Sequence, residues 1–373
     1  MLLGHFLLSL SEYHYICTNY KTKVMHRIYI IFFLLAILQT NISAQTKSDS
    51  PREGEGLNAF LKRNGCTTTE CRNQFLELNK NKLGKNNSLI KGKAYNFPSA
   101  EVKDTTSVKE KDASTQTPQT ASTQKGVKQK NKLFGPKYEE YTVKSDKLKG
   151  TCFFLSSGHG GPDSGAVGKV DGKELHEDEY AYDITLRLAR NLLEEGATVH
   201  MIIQDAKDGI RDDKYLANND RETCMGATIP ISQKKRLRQR GDKINSLAKA
   251  SKAKYKRAVF IHLDSRSQKK QLDVFFYYAK NSSGGKKLAN TMRQTFFDHY
   301  AKHQPNRGFT GTVTTRNLYM LDYTTPVGIF AELGNMHNSF DQRRYLDPNN
   351  RQALANWMCR GFIKDYENWK AGK

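Results

Sequence analysis

The chain has 373 residues, of which 37% are hydrophobic, and 60 Lys and Arg residues against 38 Asp and Glu residues give it a net charge of +22. This size allows one domain of roughly 200 residues with a smaller one beside it. The charge favours a polyanionic surface as neighbour, and by itself does not choose among nucleic acid, anionic lipid and an anionic cell wall.

An unbroken apolar run over residues 28–38 follows a basic dipeptide and ends in small residues. The run is shorter than the roughly 20 residues that span a bilayer, and this layout is typical of a secretory signal peptide. We therefore predict that residues 1–44 are a leader and signal peptide, with Met25 as the true start. The mature protein is then exported, to the periplasm, the cell envelope or the medium, with no stable membrane insertion. An uncleaved anchor is the alternative, because residues 1–24 are unusual before a signal peptide.

The cysteines outside the leader are odd in number and include no Cys-x-x-Cys pair and no histidine at zinc-finger spacing. This pattern argues against a structural zinc site made of thiolates. Cys66 and Cys71 are close enough in sequence to form a disulfide in an oxidising compartment. Two free buried thiols are the alternative.

Residues 53–98 predict a small module with two helices and a short closing strand near Tyr95. Apolar residues occur there at helical spacing in two groups, Leu57, Phe60 and Leu61, then Phe75, Leu76 and Leu78. The stretches "GEGL", "FLELN" and "SLIKGKAYNFP" resemble a LysM domain, although the stretch from Cys66 to Cys71 departs from that pattern. The resemblance implies binding of glycan that contains N-acetylglucosamine; a helical spacer without a ligand is the alternative.

Residues 99–133 contain no aromatic side chain and are mostly Ser, Thr, Gln, Lys and acidic residues. Such a segment buries too little apolar surface to offset its ordering entropy. We predict a disordered linker between the module and a second folded part.

Residues 134–373 alternate strand-like apolar runs with helical stretches, which predicts an α/β domain with a twisted, largely parallel or mixed sheet flanked by helices. The predicted strands are 151–155, 198–203, 258–263, 272–279 and 327–331, and the predicted helices are 180–195, 286–303 and 351–369.

Three candidate metal ligands or bases lie where predicted strands end. His159 stands in "SSGHGGPDSGAVG", His262 in "RAVFIHLDS" and Glu332 in "VGIFAELGN". Open α/β sheets gather their ligands at this edge, and two histidines with one carboxylate form a known catalytic zinc set. Each residue alone is more often structural, since a strand histidine is usually a satisfied core residue and acidic residues are common in a first helical turn.

Four blocks in order make residues 151–369 similar to the zinc-dependent N-acetylmuramoyl-L-alanine amidases of the Amidase_3 family. They are "SGHGGPDSGAVG", "EYAYDITLRLARNLLEEGATV", "FIHLDS" and "PVGIFAELGNMHN". Residues that depart from the family pattern are Ser164, Asp183, Asp264 and Asn335, which puts the substrate contacts in doubt.

The resemblance implies that His159, Glu179 and His262 bind Zn²⁺ and that Glu332 is the catalytic general base. Glu177 competes with Glu179 for the place of the carboxylate ligand. The implied reaction is hydrolysis of the amide between N-acetylmuramic acid and L-alanine in peptidoglycan, for cell-wall remodelling or daughter-cell separation. We expect the glycines around His159 to let the substrate approach the metal.

Other functions remain open at this stage. The same residues suit a zinc peptidase that cuts the stem peptide, and a non-catalytic peptidoglycan-binding protein is a further alternative. Nucleic-acid binding is the weakest, because the chain has a signal peptide and no DNA- or RNA-reading motif. We predict residues 205–245 to be a long loop ending in the basic run 234–240, lying over the cleft or forming a solvated charged face. An activator protein and the oligomeric state are left open.

Overall fold

The computed structural model describes residues 47–53, 55–66, 69–84, 87–98, 124–264 and 271–372. The predicted signal peptide, residues 99–123 of the predicted linker and the side chain of Asp264 lie outside this part. By its internal contacts the chain divides into two units, one made of Met1–Lys47 with Pro98–Val102 and the other of Ser48–Phe97 with Lys103–Lys373. Almost all described residues belong to the second unit.

In the described residues the strands are β1 (Ser48–Asp49), β2 (Tyr95–Asn96), β3 (Lys128–Lys130), β4 (Glu140–Thr142), β5 (Thr151–Ser157), β6 (Val167–Val170), β7 (Lys173–His176), β8 (Thr198–Met201), β9 (Ile203–Gln204), β10 (Thr223–Cys224), β11 (Ala227–Thr228), β12 (Tyr255–Asp264), β13 (Phe275–Tyr278), β14 (Thr312–Thr315) and β15 (Val327–Asn335). The helices there are α1 (Leu57–Arg63), α2 (Thr69–Leu78), α3 (Glu177–Glu194), α4 (Gln233–Ala250), α5 (Ser283–His303), α6 (Tyr319–Tyr323), α7 (Ser339–Leu346) and α8 (Pro348–Lys370).

The main sheet has six strands in the order β14-β13-β15-β12-β5-β8. Strand β12 pairs in parallel with both β5 and β15, and β13 pairs antiparallel with β15. Strands β15, β12, β5 and β8 run parallel, while β13 and β14 are parallel to each other and run opposite to that group. The sheet is therefore mixed, as the alternating pattern predicts. Every residue of β5 is buried, as expected for a strand that is covered on both faces.

Helices cover both faces of this sheet. One face packs against α3, α5 and α8 through residues such as Leu192, Met292 and Phe362. The other face packs against α4 and α6 through Ile244 and Met320. The carboxyl ends of β5, β12 and β15 meet at one edge, which is where the candidate site residues lie. None of the helices in the described ranges combines the length and apolarity needed to cross a bilayer.

The predicted linker and the predicted loop both differ from the structure. Lys128–Lys130, inside the predicted linker, forms an antiparallel pair with β4, so the folded domain begins before residue 134. The segment 205–245 is not one long loop, since it contains the β10–β11 hairpin and the first half of α4. Ser232 caps that helix by accepting a hydrogen bond from the Lys235 amide.

The amino-terminal module has the order β1-α1-α2-β2, with β1 and β2 antiparallel. Phe60, Phe75 and Tyr95 form its core, where their rings lie about 6 Å apart. Cys66 and Cys71 form a disulfide, which links the chain just after α1 to the first turn of α2. Strand β1 lies before residue 53, where the module is predicted to start. A strand of two polar residues, Ser48 and Asp49, leaves no recognisable pattern in the sequence.

Candidate metal centre and active site

The two histidines of the site come from neighbouring strands. His159 follows the end of β5 by two residues and His262 lies within β12. The Gly158 amide donates a hydrogen bond of 2.7 Å to the Ile261 carbonyl, which continues the β5–β12 pairing past the end of β5. The parallel strands thereby bring His159 beside His262, with ring centroids 5.1 Å apart.

Glu177, the first residue of α3, lies between the histidines. Its Oε2 is 3.3 Å from His159 Nε2 and its Oε1 is 3.0 Å from His262 Nδ1. One donor atom from each of the three residues lies within 4.8 Å of the other two. Two imidazole nitrogens and one carboxylate oxygen at this separation form a group that suits a transition-metal ion.

Glu179 is not part of this group, and the preference for Glu179 over Glu177 is corrected here. The Glu179 Oε2 accepts a hydrogen bond of 2.9 Å from Arg211, and its Oε1 accepts one of 2.7 Å from the Asn219 amide. The reason is the helix start: α3 begins at Glu177 rather than at Tyr180. Residues two apart on a helix point in different directions, so only one of the two glutamates faces the histidines.

Asp163 and two arginines fix the position of His159. The His159 Nδ1 lies 3.0 Å from Asp163 Oδ2, which also accepts a hydrogen bond of 2.5 Å from Arg236. The backbone of His159 is left-handed, with φ of 57°, and its carbonyl accepts a hydrogen bond from Arg240. Non-glycine residues in this region of φ are uncommon and are found often at functional sites.

Both arginines are buried and come from α4, which carries the basic run 234–240. The run is therefore not a fully solvated charged face. The sequence contains a signal for this: Arg236, Arg240 and Ile244 recur every four residues and so share the helix face that packs on the sheet. Charge and composition alone do not reveal this face, because a basic run is usually solvated.

The glycines near His159 pack against the candidate ligands. A Cβ atom on Gly158 would collide with the His262 ring, and one on Gly165 would lie 2.7 Å from both Glu177 Oε2 and His159 Cδ2. These positions therefore exclude side chains so that the histidines and Glu177 can approach one another. This packing is sufficient to explain the glycines, without the predicted role of leaving room for substrate.

Burial and neighbouring charges shift the pKa values of the residues in this cluster in different directions. Burial opposes ionisation of Glu177, yet the two histidines hold its pKa below the usual range. Burial lowers the pKa of His159, but the charges of Glu177 and Asp163 outweigh this effect and raise it. Burial lowers the pKa of His262, which favours the neutral imidazole that a metal requires.

Glu332 lies on β15 directly opposite His262 in the parallel register. Phe330, two residues earlier, stacks on the His262 ring with centroids 4.3 Å apart. Because alternate residues of a strand share a face, Glu332 is on the same side of the sheet as His262. The residue is 5% exposed, so its carboxylate is sheltered from bulk water.

A cavity of about 180 Å³ opens beside the histidines on the α4 side of the sheet. Arg236 and Arg240 line it together with Asp163, whose carboxylate offsets one of the two positive charges. The apolar part of its wall consists of Leu237, Phe260, Leu318, Met320 and Phe330. A mixed apolar and cationic wall next to a metal-competent group suits an organic ligand that carries negative charge.

The amino-terminal module touches the loop that carries His159. Asn58 donates a hydrogen bond of 2.6 Å to the Gly165 carbonyl, and Lys62 donates one of 3.2 Å to the Gly161 carbonyl. Both side chains come from α1. The module is therefore packed beside the candidate site, in the same compact unit as the α/β domain.

Residues 154–364 match the family model described as N-acetylmuramoyl-L-alanine amidase. The match includes His159, Glu177, His262 and Glu332. Over 223 residues the chain is 26% identical to the germination-specific N-acetylmuramoyl-L-alanine amidase of Bacillus subtilis (strain 168), which covers 58% of this chain and 80% of that protein.

Solved structures of amidases also resemble the chain. An N-acetylmuramoyl-L-alanine amidase from Clostridium difficile 630 is 19% identical, with 59% of this chain and 98% of that chain covered and a TM-score of 0.43. The CwlD amidase from Clostridioides difficile, solved in complex with the GerS lipoprotein, is 22% identical, with 58% and 98% covered and a TM-score of 0.44. The amidase AmiC2 of Nostoc punctiforme is 22% identical, with 60% and 99% covered and a TM-score of 0.41.

Proposed function

The chain belongs to the N-acetylmuramoyl-L-alanine amidase family, and on that premise we propose how its residues carry out the reaction. The family activity is hydrolysis of the amide between N-acetylmuramic acid and L-alanine in peptidoglycan, and the chain is an enzyme of this class. The observation that carries the proposal is the group of His159, Glu177 and His262 at the carboxyl edge of the sheet.

We propose that these three residues hold Zn²⁺. The donor set fits this ion, because catalytic zinc sites use three ligands of this kind and leave a position open. The contact of His159 Nδ1 with Asp163 supports the assignment, since metal-binding histidines usually donate their other ring N–H to a carboxylate or carbonyl. When bound, Zn²⁺ supplies Lewis-acid polarisation of the scissile carbonyl and lowers the pKa of a water molecule.

The chain's own residues orient the group and move the proton. Asp163 holds the His159 ring, and Arg240 holds the His159 carbonyl. The Glu332 carboxylate accepts a proton from the attacking water and delivers it to the departing amine of L-alanine. What supports this role is its burial and its register opposite His262.

The cavity beside His262 receives the part of the substrate next to the scissile amide. Its apolar wall and its two arginines suit a peptide that bears carboxylates. The net charge of +22 favours residence in an anionic cell wall.

Export by the predicted signal peptide and glycan binding by the LysM-like module belong to the same proposal. The β1-α1-α2-β2 order of the module supports glycan binding. The lipoprotein in the CwlD structure makes an activator a partner worth testing.

The test uses residues 45–373 and purified peptidoglycan, with and without a chelator. We expect chelator-sensitive release of peptides that begin with L-alanine. New amino termini elsewhere in the stem peptide would instead identify a peptidase. Binding to peptidoglycan with no new termini in either condition would identify a non-catalytic binder and overturn the proposal.

A further inference from the structure

Three buried carboxylates lie together outside the histidine group. Asp178 and Glu179 stand in the first turn of α3, and Glu222 precedes β10. Their exposed fractions are 2%, 0% and 4%. One oxygen atom from each lies within 4.8 Å of the other two. Buried like charges at this separation repel one another unless a cation or protons compensate them.

The protein compensates two of these carboxylates in part. Arg211 and Asn219 donate hydrogen bonds to Glu179. The Gly161 amide donates a hydrogen bond of 2.9 Å to Glu222 Oε2. Arg211 is the one cation among these donors, and it is shared with Asp208, so the donors bring one shared positive charge to three carboxylates.

Asp178 has the least complete set of hydrogen bonds among the three carboxylates. Its Oδ1 accepts a hydrogen bond of 3.0 Å from the Glu179 amide. Its Oδ2 is buried and accepts no hydrogen bond from any residue that the structure describes. A buried carboxylate oxygen without a donor costs free energy, and this one belongs to a side chain whose carboxylate lies beside those of Glu179 and Glu222.

We propose that Asp178, Glu179 and Glu222 bind one hard divalent cation of the Ca²⁺, Mg²⁺ or Mn²⁺ class, separate from the ion held by the histidines. A donor set made only of carboxylate oxygens selects such ions over Zn²⁺. Oxygens on opposite sides of a bound Ca²⁺ are about 5 Å apart, so three oxygens within 4.8 Å of one another are close enough to share one ion.

The cation joins three segments that shape the histidine site. Asp178 and Glu179 follow Glu177 directly in the chain, and Glu222 holds the Gly161 amide in the loop that carries His159. Arg211 and Asn219, which contact Glu179, come from the segment between β9 and β10. The site is thus a positioning site, which ties this segment to the start of α3 and to the His159 loop.

The test uses the full chain, stripped of metal with a chelator, reloaded with one equivalent of Zn²⁺ and dialysed against Ca²⁺, Mg²⁺ or Mn²⁺ alone. Elemental analysis counts the metal per chain, and thermal unfolding reports the midpoint. We expect one further equivalent of at least one of these ions. The midpoint should rise by about 5 °C at a hundredfold excess over Kd. A chain that takes up no ion beyond Zn²⁺ and shows no rise overturns the proposal, and protons then compensate the cluster.

Variants locate the ion. Glu222→Gln and Asp178→Asn should each weaken its binding at least about tenfold, because each removes one charged ligand from a set of three. Asp220→Asn is the matched control, since this side chain is 64% exposed, and it should bind the ion as the wild type does. His262→Ala should lose Zn²⁺ and keep the second ion, which separates this proposal from that for the amidase site.

The near-ultraviolet circular dichroism of each variant shows whether it is folded. If Glu222→Gln does not fold, the wild-type count and Asp178→Asn still decide the question. Folded Glu222→Gln and Asp178→Asn variants that both keep the second equivalent would place the ion elsewhere and contradict the proposal.

Discussion

His159 and Asp163 form a contact that orients the imidazole: His159 Nδ1 lies 3.0 Å from Asp163 Oδ2. The same carboxylate oxygen accepts a hydrogen bond from Arg236 of α4, so this helix holds Asp163 in place. The other ring nitrogen of His159, Nε2, is thereby directed at Glu177.

Replacing Asp163 with Asn removes the charge that orients the ring. We expect Asp163→Asn to weaken Zn²⁺ binding about 10- to 100-fold, the usual effect of losing such an outer partner. Competition with a chromogenic chelator measures this affinity. Asp171→Asn is the control, because Asp171 is exposed and contacts Lys214 and Tyr215, and equal Zn²⁺ affinity in both variants would contradict the orienting role.

Glu332→Gln separates proton transfer from metal binding. The amide keeps the size of the side chain but cannot accept the proton of the attacking water. We therefore expect amidase activity to fall by about 10²- to 10⁴-fold, with the Zn²⁺ content unchanged by elemental analysis. Full activity in this variant would refute Glu332 as the base.

Gly165→Ala tests the close packing of the candidate ligands. The new Cβ would lie 2.7 Å from Glu177 Oε2 and His159 Cδ2. Gly172→Ala is matched to it, because Gly172 also has a positive φ but has no atom within 4 Å of a Cβ. Both variants carry a backbone penalty of roughly 1–2 kcal/mol. Gly165→Ala should lose Zn²⁺ affinity in addition, and a chelator titration in which the two variants behave alike would count against this packing.

Arg240→Met tests the buried arginine under the His159 loop. Burial lowers the pKa of Arg240 to about 10, so it remains charged at neutral pH and donates to the His159 carbonyl. We expect its loss to lower the free energy of unfolding by about 2 kcal/mol, as for other hydrogen bonds from charged groups. Denaturant unfolding measures this value. Arg238→Met on the exposed face of α4 should change it by less than about 0.5 kcal/mol, and a smaller effect at Arg240 than at Arg238 would contradict the role.

The strands and the two histidines could be predicted from the sequence, because buried apolar runs are local signals and because His159 and His262 stand at their ends. Glu332 was found in the same way, although its role as base stays a proposal. The parallel register then brings the ends of β5, β12 and β15 together, as is general in α/β sheets.

The choice between Glu177 and Glu179 depends on a helix boundary, which is a weaker signal. Apolar periodicity predicts the body of α3 but not its first turn, where acidic residues are favoured whatever their role. The β6–β7 hairpin places the start of the helix, and the Ala166 amide then donates to Glu177 Oε2. That contact joins residues on different elements, so no local sequence pattern predicts it.

A pair of isosteric variants, Glu177→Gln and Glu179→Gln, tests the central claim most directly. Each is stripped of metal, dialysed against Zn²⁺ and analysed for zinc per chain. We expect Glu179→Gln to keep one equivalent of Zn²⁺ and Glu177→Gln to lose it, because only Glu177 lies between His159 and His262. One equivalent in Glu177→Gln and none in Glu179→Gln would contradict the site as it is assigned here.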